Sequence, residues 1–70
     1  MRSIERIHPF LERVESIWKT TFPDWRFGQF IYNLEYYLRS EKGVDMFTVE
    51  DDKFIDLLES FGIFYTAKRN

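Results

Sequence analysis

Apolar residues return every three or four positions through most of this chain. Ile4, Ile7, Leu11, Val14 and Trp18 form one stripe, widened by Phe10 and Ile17. Phe27, Phe30, Ile31, Leu34 and Leu38 form a second, and Phe54, Ile55, Leu57, Leu58 and Phe61 a third. This spacing is that of a helix with one buried face. It predicts an all-α domain: three helices around one core, followed by a short C-terminal extension.

The residues between the stripes set the expected boundaries. Pro9 suits a first helical position and would break a later turn, so the first helix is expected over about 9–20, with the residues before it only partly ordered. Glu12 and Glu15 then fall early and Lys19 late, as the helix dipole favours. Pro23-Asp24 stops that helix, and Asp24 can cap the next one, expected over about 25–39. Gly28 lies in its second turn, where glycine is disfavoured by about 1 kcal/mol against alanine; a bulky neighbour or a close helix backbone would account for it. Gly43 is the natural left-handed residue after a helix end. Thr48 with Glu50-Asp51 reads as a capping box, opening a third helix over about 49–60, with Phe47 packed on the first or second helix. Gly62 is read as its stop. Residues 62–70 form the tail, in which Ile63-Phe64-Tyr65-Thr66 is β-prone.

Composition adds one strong constraint. Seventy residues make one domain, and without cysteine neither a disulfide nor a thiolate metal site can support it. A core of this size yields only about 3–5 kcal/mol of net stability. Eight Phe, four Tyr and two Trp supply the bulk, yet a three-helix domain cannot hide fourteen rings. Some should therefore be exposed and form a contact surface.

Charge narrows the function classes. A net charge of −2 lacks the basic footprint of a general nucleic-acid binder. Asp45, Glu50, Asp51, Asp52, Asp56 and Glu59 face Lys53 alone between positions 45 and 59. Nothing in that run has the oxygen spacing and central glycine of an EF-hand, so it is read as dipole-matched capping rather than a metal site. No apolar run approaches the roughly 20 residues that span a bilayer, and no signal-peptide pattern opens the chain, so a cytoplasmic protein is expected. His8 is the only histidine. Ser3, His8 and Asp24 supply the letters of a catalytic triad without a nucleophile-elbow context, and no glycine-rich phosphate loop is present. No catalytic residue, metal or cofactor is expected. Lys68-Arg69 reads as a solvated tail.

The strongest candidate surface lies on the second helix. Arg26, Gln29, Asn33 and Tyr36 or Tyr37 share one side of it, with Tyr32 beside them. Tyrosine and arginine are typical interface anchors. The same row is compatible with a solvated flank in which Gln29 and Asn33 tie loop backbone to the helix. Phe64 and Tyr65 of the tail are expected to add to the contact. Trp18 and Trp25 bracket the interhelix turn and are expected to pack, Trp18 in the core and Trp25 over the turn.

The order Trp18-Lys19, Pro23-Asp24, Gln29-Phe30 and Leu34, then Thr48 with Asp51-Asp52 ahead of Phe54 and Leu57-Leu58, resembles small bacterial and phage proteins, among them the YihD-like family. The resemblance covers about half of the chain, in caps and core positions, and departs from the family in a Trp18-to-Pro23 spacing one residue longer and in the aromatic tail. It implies a compact helical domain in an intracellular setting and transfers no catalytic residue. The expectation is a non-enzymatic protein-interaction module, a small regulator or inhibitor, binding through Arg26, Gln29, Tyr32, Asn33, Tyr36, Phe64 and Tyr65. The alternatives are a homodimer pairing through surplus aromatics and, less favoured, a helix-turn-helix nucleic-acid binder whose recognition helix would be acidic.

Overall fold

A computed structural model describes residues 2–68, and for Lys68 the backbone alone. Three α-helices account for most of the described chain: α1 (Ile7–Thr21), α2 (Phe27–Glu41) and α3 (Asp51–Lys68). Short 3-10 turns at Ile4–Arg6 and Met46–Thr48 precede α1 and α3. There is no strand among the described residues.

Helix α1 starts two residues earlier than Pro9 suggested. Pro9 is its third residue, where a backbone N–H has no intrahelical partner to lose. The residues before it are tied down as well: the Ser3 hydroxyl oxygen accepts from the Glu5 amide at 3.2 Å and caps the first 3-10 turn. At the other end, the Trp25 N–H donates to the Phe22 carbonyl at 3.1 Å, closing a turn over Pro23 and Asp24. Proline favours such a turn by its fixed φ. Asp24 serves that turn and does not cap α2. The N-cap is Arg26, in extended backbone, and its N–H donates to the Gln29 side-chain oxygen at 2.9 Å. Arginine has no acceptor to offer in return, so this is half of a capping box.

Helix α2 ends as expected. Gly43 takes φ +63°, and the Val44 N–H reaches back to the Leu38 carbonyl at 3.0 Å, so a left-handed glycine closes the helix end. Asp45, not Thr48, then acts as a cap: its carboxylate accepts from the Phe47 N–H at 3.0 Å, and its carbonyl accepts from the Thr48 hydroxyl and N–H. Helix α3 opens only after Glu50, whose carbonyl takes the first bond, from the Phe54 N–H at 2.8 Å.

The largest departure from expectation is the tail. Helix α3 runs through Gly62 to Lys68, so residues 63–68 are helical and not an extension. Gly62 is buried, and a Cβ there would meet Ile17 and Thr21 of α1 at 3.8–4.0 Å. Phe61, Phe64 and Tyr65 keep the three-and-four spacing beyond it and pack on the core. Tertiary burial overrides the β propensity of Ile63-Phe64-Tyr65-Thr66. Arg69 and Asn70 lie outside the described residues.

Residue pairs between α1 and α3 rise together along the two helices. Arg2 pairs with Glu50, Arg6 with Asp51 and Arg13 with Glu59, Phe10 meets Phe54 edge-on, and Ile17 lies beside Gly62. The two helices therefore run parallel and in direct contact, and α2 packs on α3. The ladder consumes half of the acidic run: Glu50, Asp51 and Glu59 neutralise arginines of the first helix and its approach.

The core is aromatic. Phe22, Phe30 and Phe61 are fully buried with Leu38 and Leu58. Phe22 stacks on Trp25 with centroids 4.2 Å apart, and Phe61 touches Phe22, Phe30, Tyr37 and Tyr65. The one buried tyrosine, Tyr37, pairs its hydroxyl with that of Ser60 at 2.9 Å, meeting the need of a buried phenol. The molecule measures 42 × 25 × 19 Å. The short dimension is less than two helix diameters of about 10–12 Å each, so α2 keeps an outer face in solvent.

Candidate functional site

The exposed rings gather on two surfaces, both involving α2. The first is a groove. Helix α3 packs on both α1 and α2; α1 and α2 meet near the interhelix turn, where Trp18 stacks on Phe30 and lies tilted against Phe27 with centroids 5.3 and 5.7 Å apart, and toward the start of α1 they leave an apolar cleft of about 400 Å³. Its floor is Phe10, Val14, Ile31, Leu34 and Phe54, all partly or fully buried. Its rim is exposed and still apolar: Leu11 shows 55% of its surface, Phe27 61% and Phe47 97%. Ile7 extends this edge along α1.

Phe47 is the clearest departure on the rim. The expectation that it packs on the first or second helix is not met. Its backbone is nevertheless held by the Asp45 cap and by Thr48, so the ring projects from a closed turn. Arg2 and Arg6 close one end of the groove and are themselves fixed by Glu50 and Asp51 at 2.8 and 2.5 Å. A shallower depression on the outer side of Leu11 and Phe27 is edged by His8, Glu12 and Glu15.

The second surface is the outer face of α2, where most of the sequence-predicted residues lie. Arg26, Gln29, Tyr32 and Tyr36 are exposed, the two tyrosines by 67% and 50%. Asn33 turns toward the interior side and is half-buried. Gln29 uses its oxygen to cap α2, as the solvated-flank alternative foresaw. Arg39 stands over the Tyr36 ring, 5.4 Å from its centroid, and donates to both carboxylate oxygens of Glu35 at 3.0 and 3.3 Å. Those bonds stabilise the charged guanidinium and raise its pKa above the ordinary value.

Phe64 and Tyr65 belong to neither surface. Phe64 packs on Tyr37 at 5.0 Å, and Tyr65 packs against Phe22, Trp25 and Phe61. The helical course of the tail, which was expected to be an extension, turns both partly toward the core. The tryptophans follow expectation in packing: both are half-buried, and the Trp18 indole N–H donates to the Trp25 carbonyl at 3.0 Å, tying the interhelix turn.

The structure assembles no triad. Ser3 and His8 lie at one end of α1 and Asp24 beyond the other, across a helix of 15 residues or about 22 Å. His8 is exposed, with Glu12 at 3.4 Å. Among the described residues no group of three His, Asp or Glu side chains could hold a metal ion, and no helix is long and apolar enough to cross a membrane.

The groove escaped the sequence reading. Leu11 and Phe27 look like core members of their stripes, yet Leu11 is exposed and Phe27 keeps a tilted contact with Trp18 while most of its surface stays open. The available signal was the breadth of the apolar arc: Phe27 and Ile31 lie to one side of the Phe30-Leu34-Leu38 line, wider than one partner helix covers. No protein-family model, curated protein or solved structure matches this chain.

Proposed function

We propose that this domain is a non-enzymatic protein-interaction module that holds an apolar segment of a partner protein in the α1–α2 groove. The observation that carries the reading is Phe47, a phenylalanine 97% exposed on a hydrogen-bonded turn at the rim of an apolar cleft. Burying one such ring contributes about 1.5–3 kcal/mol, which the free domain forgoes. Leu11 and Phe27 extend the same surface, and contiguous apolar patches on soluble domains mark interaction sites. The groove is lined chiefly by carbon, so it supports recognition by shape and burial rather than bond-making chemistry.

A photo-reactive phenylalanine analogue at position 47 tests this in the cell that encodes the protein. A discrete adduct is expected from position 47, and none from the same analogue at Lys53 on α3. Leu11→Asp should abolish the adduct while leaving the far-UV circular dichroism unchanged. A position-47 pattern identical to that from position 53 would refute the groove as a docking site.

A further inference from the structure

The walls of the groove decide what form of chain can lie in it. Its floor is side-chain carbon at Phe10, Val14, Ile31, Leu34 and Phe54. Both walls are helices, whose backbone groups bond within the helix. No strand among the described residues offers an edge. An extended segment buried here would leave its own N–H and C=O groups unpaired, at a cost of about 1–3 kcal/mol each. A helix satisfies those groups internally. Along α1 the groove runs from Arg6 to the Trp18 contact that closes it, a length of about 18 Å or about three helical turns.

Charge sets the flanks of that helix. At the open end Arg2 and Arg6 are taken by Glu50 and Asp51, and on α2 Glu35 is taken by Arg39. What remains along the rims is acidic. Glu12 and Glu15 edge the α1 side beyond Leu11, and Asp45 edges the other side beside Phe47. Glu15 and Asp45 have no ion-pair partner among the described residues, and Glu12 has only His8, at 3.4 Å, which balances it when protonated. Lys19 and Arg26 carry the opposite charge, but they adjoin Trp18 and Phe27 at the closed end and line neither rim. They oppose a basic partner residue only at that end.

We infer that the partner segment is an amphipathic helix, apolar on the face it lays into the groove and carrying lysine or arginine on the flanks beside Leu11 and Phe47. The inference rests on the groove reading and adds the chemistry of the partner to it. Apolar anchors at i, i+3 or i+4 and i+7 are the pattern by which a helix fills such a groove, and they would cover Leu11, Phe27 and Phe47. The flanking cations meet Glu12, Glu15 and Asp45, a complementarity that directs docking and excludes acidic helices. A second copy of this chain is a poor occupant. Set rim to rim, two copies oppose Glu12, Glu15 and Asp45 to the same acids.

Synthetic peptides of about 18 residues, long enough to span the groove, test this on the purified protein by fluorescence anisotropy. All share one leucine face; the first has lysine flanks, the second glutamate flanks, and the third is the lysine peptide with a central proline. The lysine peptide should bind about tenfold or more tightly than the glutamate peptide at low salt, and the gap should narrow as salt is added. The proline peptide should bind about tenfold or more weakly than its parent. Glu12→Gln with Glu15→Gln should weaken the lysine peptide several-fold and leave the glutamate peptide no weaker. Leu11→Asp and Phe47→Ser should each weaken the lysine peptide with far-UV circular dichroism unchanged. Leu11→Asp adds an acid, so a loss there separates docking in the groove from general attraction to an acidic protein. Equal binding of the lysine and glutamate peptides overturns the assigned charge, and equal binding of the proline peptide overturns the helix. Binding untouched by both rim variants, or no binding by any peptide, overturns the inference as a whole. The position-47 adduct reports separately whether the groove is occupied in the cell, so the groove reading and the chemistry of its partner can fail independently.

Discussion

Two phenylalanines fourteen positions apart provide the sharpest test of which rings hold this fold together. Phe61 is fully buried and touches five rings: Phe22, Trp25, Phe30, Tyr37 and Tyr65, at centroid distances of 5.1–6.2 Å. Phe47 is almost fully exposed. Replacing a buried phenylalanine with alanine costs about 3–5 kcal/mol, and each favourable ring pair adds about 0.5–1.5 kcal/mol beyond the area buried. The whole net stability of a core this size is about 3–5 kcal/mol, so Phe61→Ala should leave the chain largely unfolded at 25 °C. Phe61→Leu keeps most of the volume and should cost about 1–2 kcal/mol. With a urea m-value of about 1 kcal/mol/M, its midpoint should fall by about 1–2 M. Phe47→Ala should move the midpoint by less than about 0.5 M, within the range of exposed substitutions. Urea titrations followed by far-UV circular dichroism and by tryptophan fluorescence would measure all three. A Phe61→Leu midpoint within about 0.5 M of wild type, or a Phe47→Ala loss as large as that of Phe61→Leu, would refute the partition of rings into core and contact surface.

Helical continuation of α3 past Gly62 predicts that Tyr65→Ala costs about 2–3 kcal/mol while Ile63→Ala stays within about 0.5 kcal/mol. A strand would put both residues on one face, so equal losses in the same urea titration would contradict the helix. The buried hydroxyl pair predicts that Tyr37→Phe and Ser60→Ala each cost about 0.5–1.5 kcal/mol. The double variant should cost less than their sum in a double-mutant cycle; strict additivity would mean the two hydroxyls do not depend on one another.

What the sequence made legible, and what it hid, divides along one physical line. The three apolar stripes, the all-α class and the left-handed Gly43 are local: they follow from helix periodicity and from φ preferences that any chain obeys. Two boundary errors came from reading a local signal without its tertiary context. Glycine commonly ends helices, yet Gly62 sits inside α3 where α1 comes close to it. The spacing from Phe61 to Phe64 and Tyr65 already carried the helix onward, and β propensity masked it. Asp24 has the chemistry of a cap but belongs to the turn before Arg26, and only hydrogen-bond geometry separates those roles.

The contact surfaces depend on the least local quantity of all, the angle at which helices part. Tyr32 and Tyr36 were legible because they fall opposite the buried stripe of their own helix. Leu11 and Phe27 were not, because each belongs to a stripe that its helix does bury elsewhere, at Val14 and Trp18 on α1 and at Phe30 and Leu34 on α2. The parallel α1–α3 pair, pinned by Arg2, Arg6 and Arg13, claims one side of α1. Helix α2 covers the other side at Trp18 and leaves Leu11 open. Three helices offer three mutual faces, and here the one between α1 and α2 opens into the groove. The excess of rings in the composition is the sequence-level trace of that geometry. Phe27 and Phe47 line the opening, while Tyr32 and Tyr36 cover the outside of the helix that fails to close it.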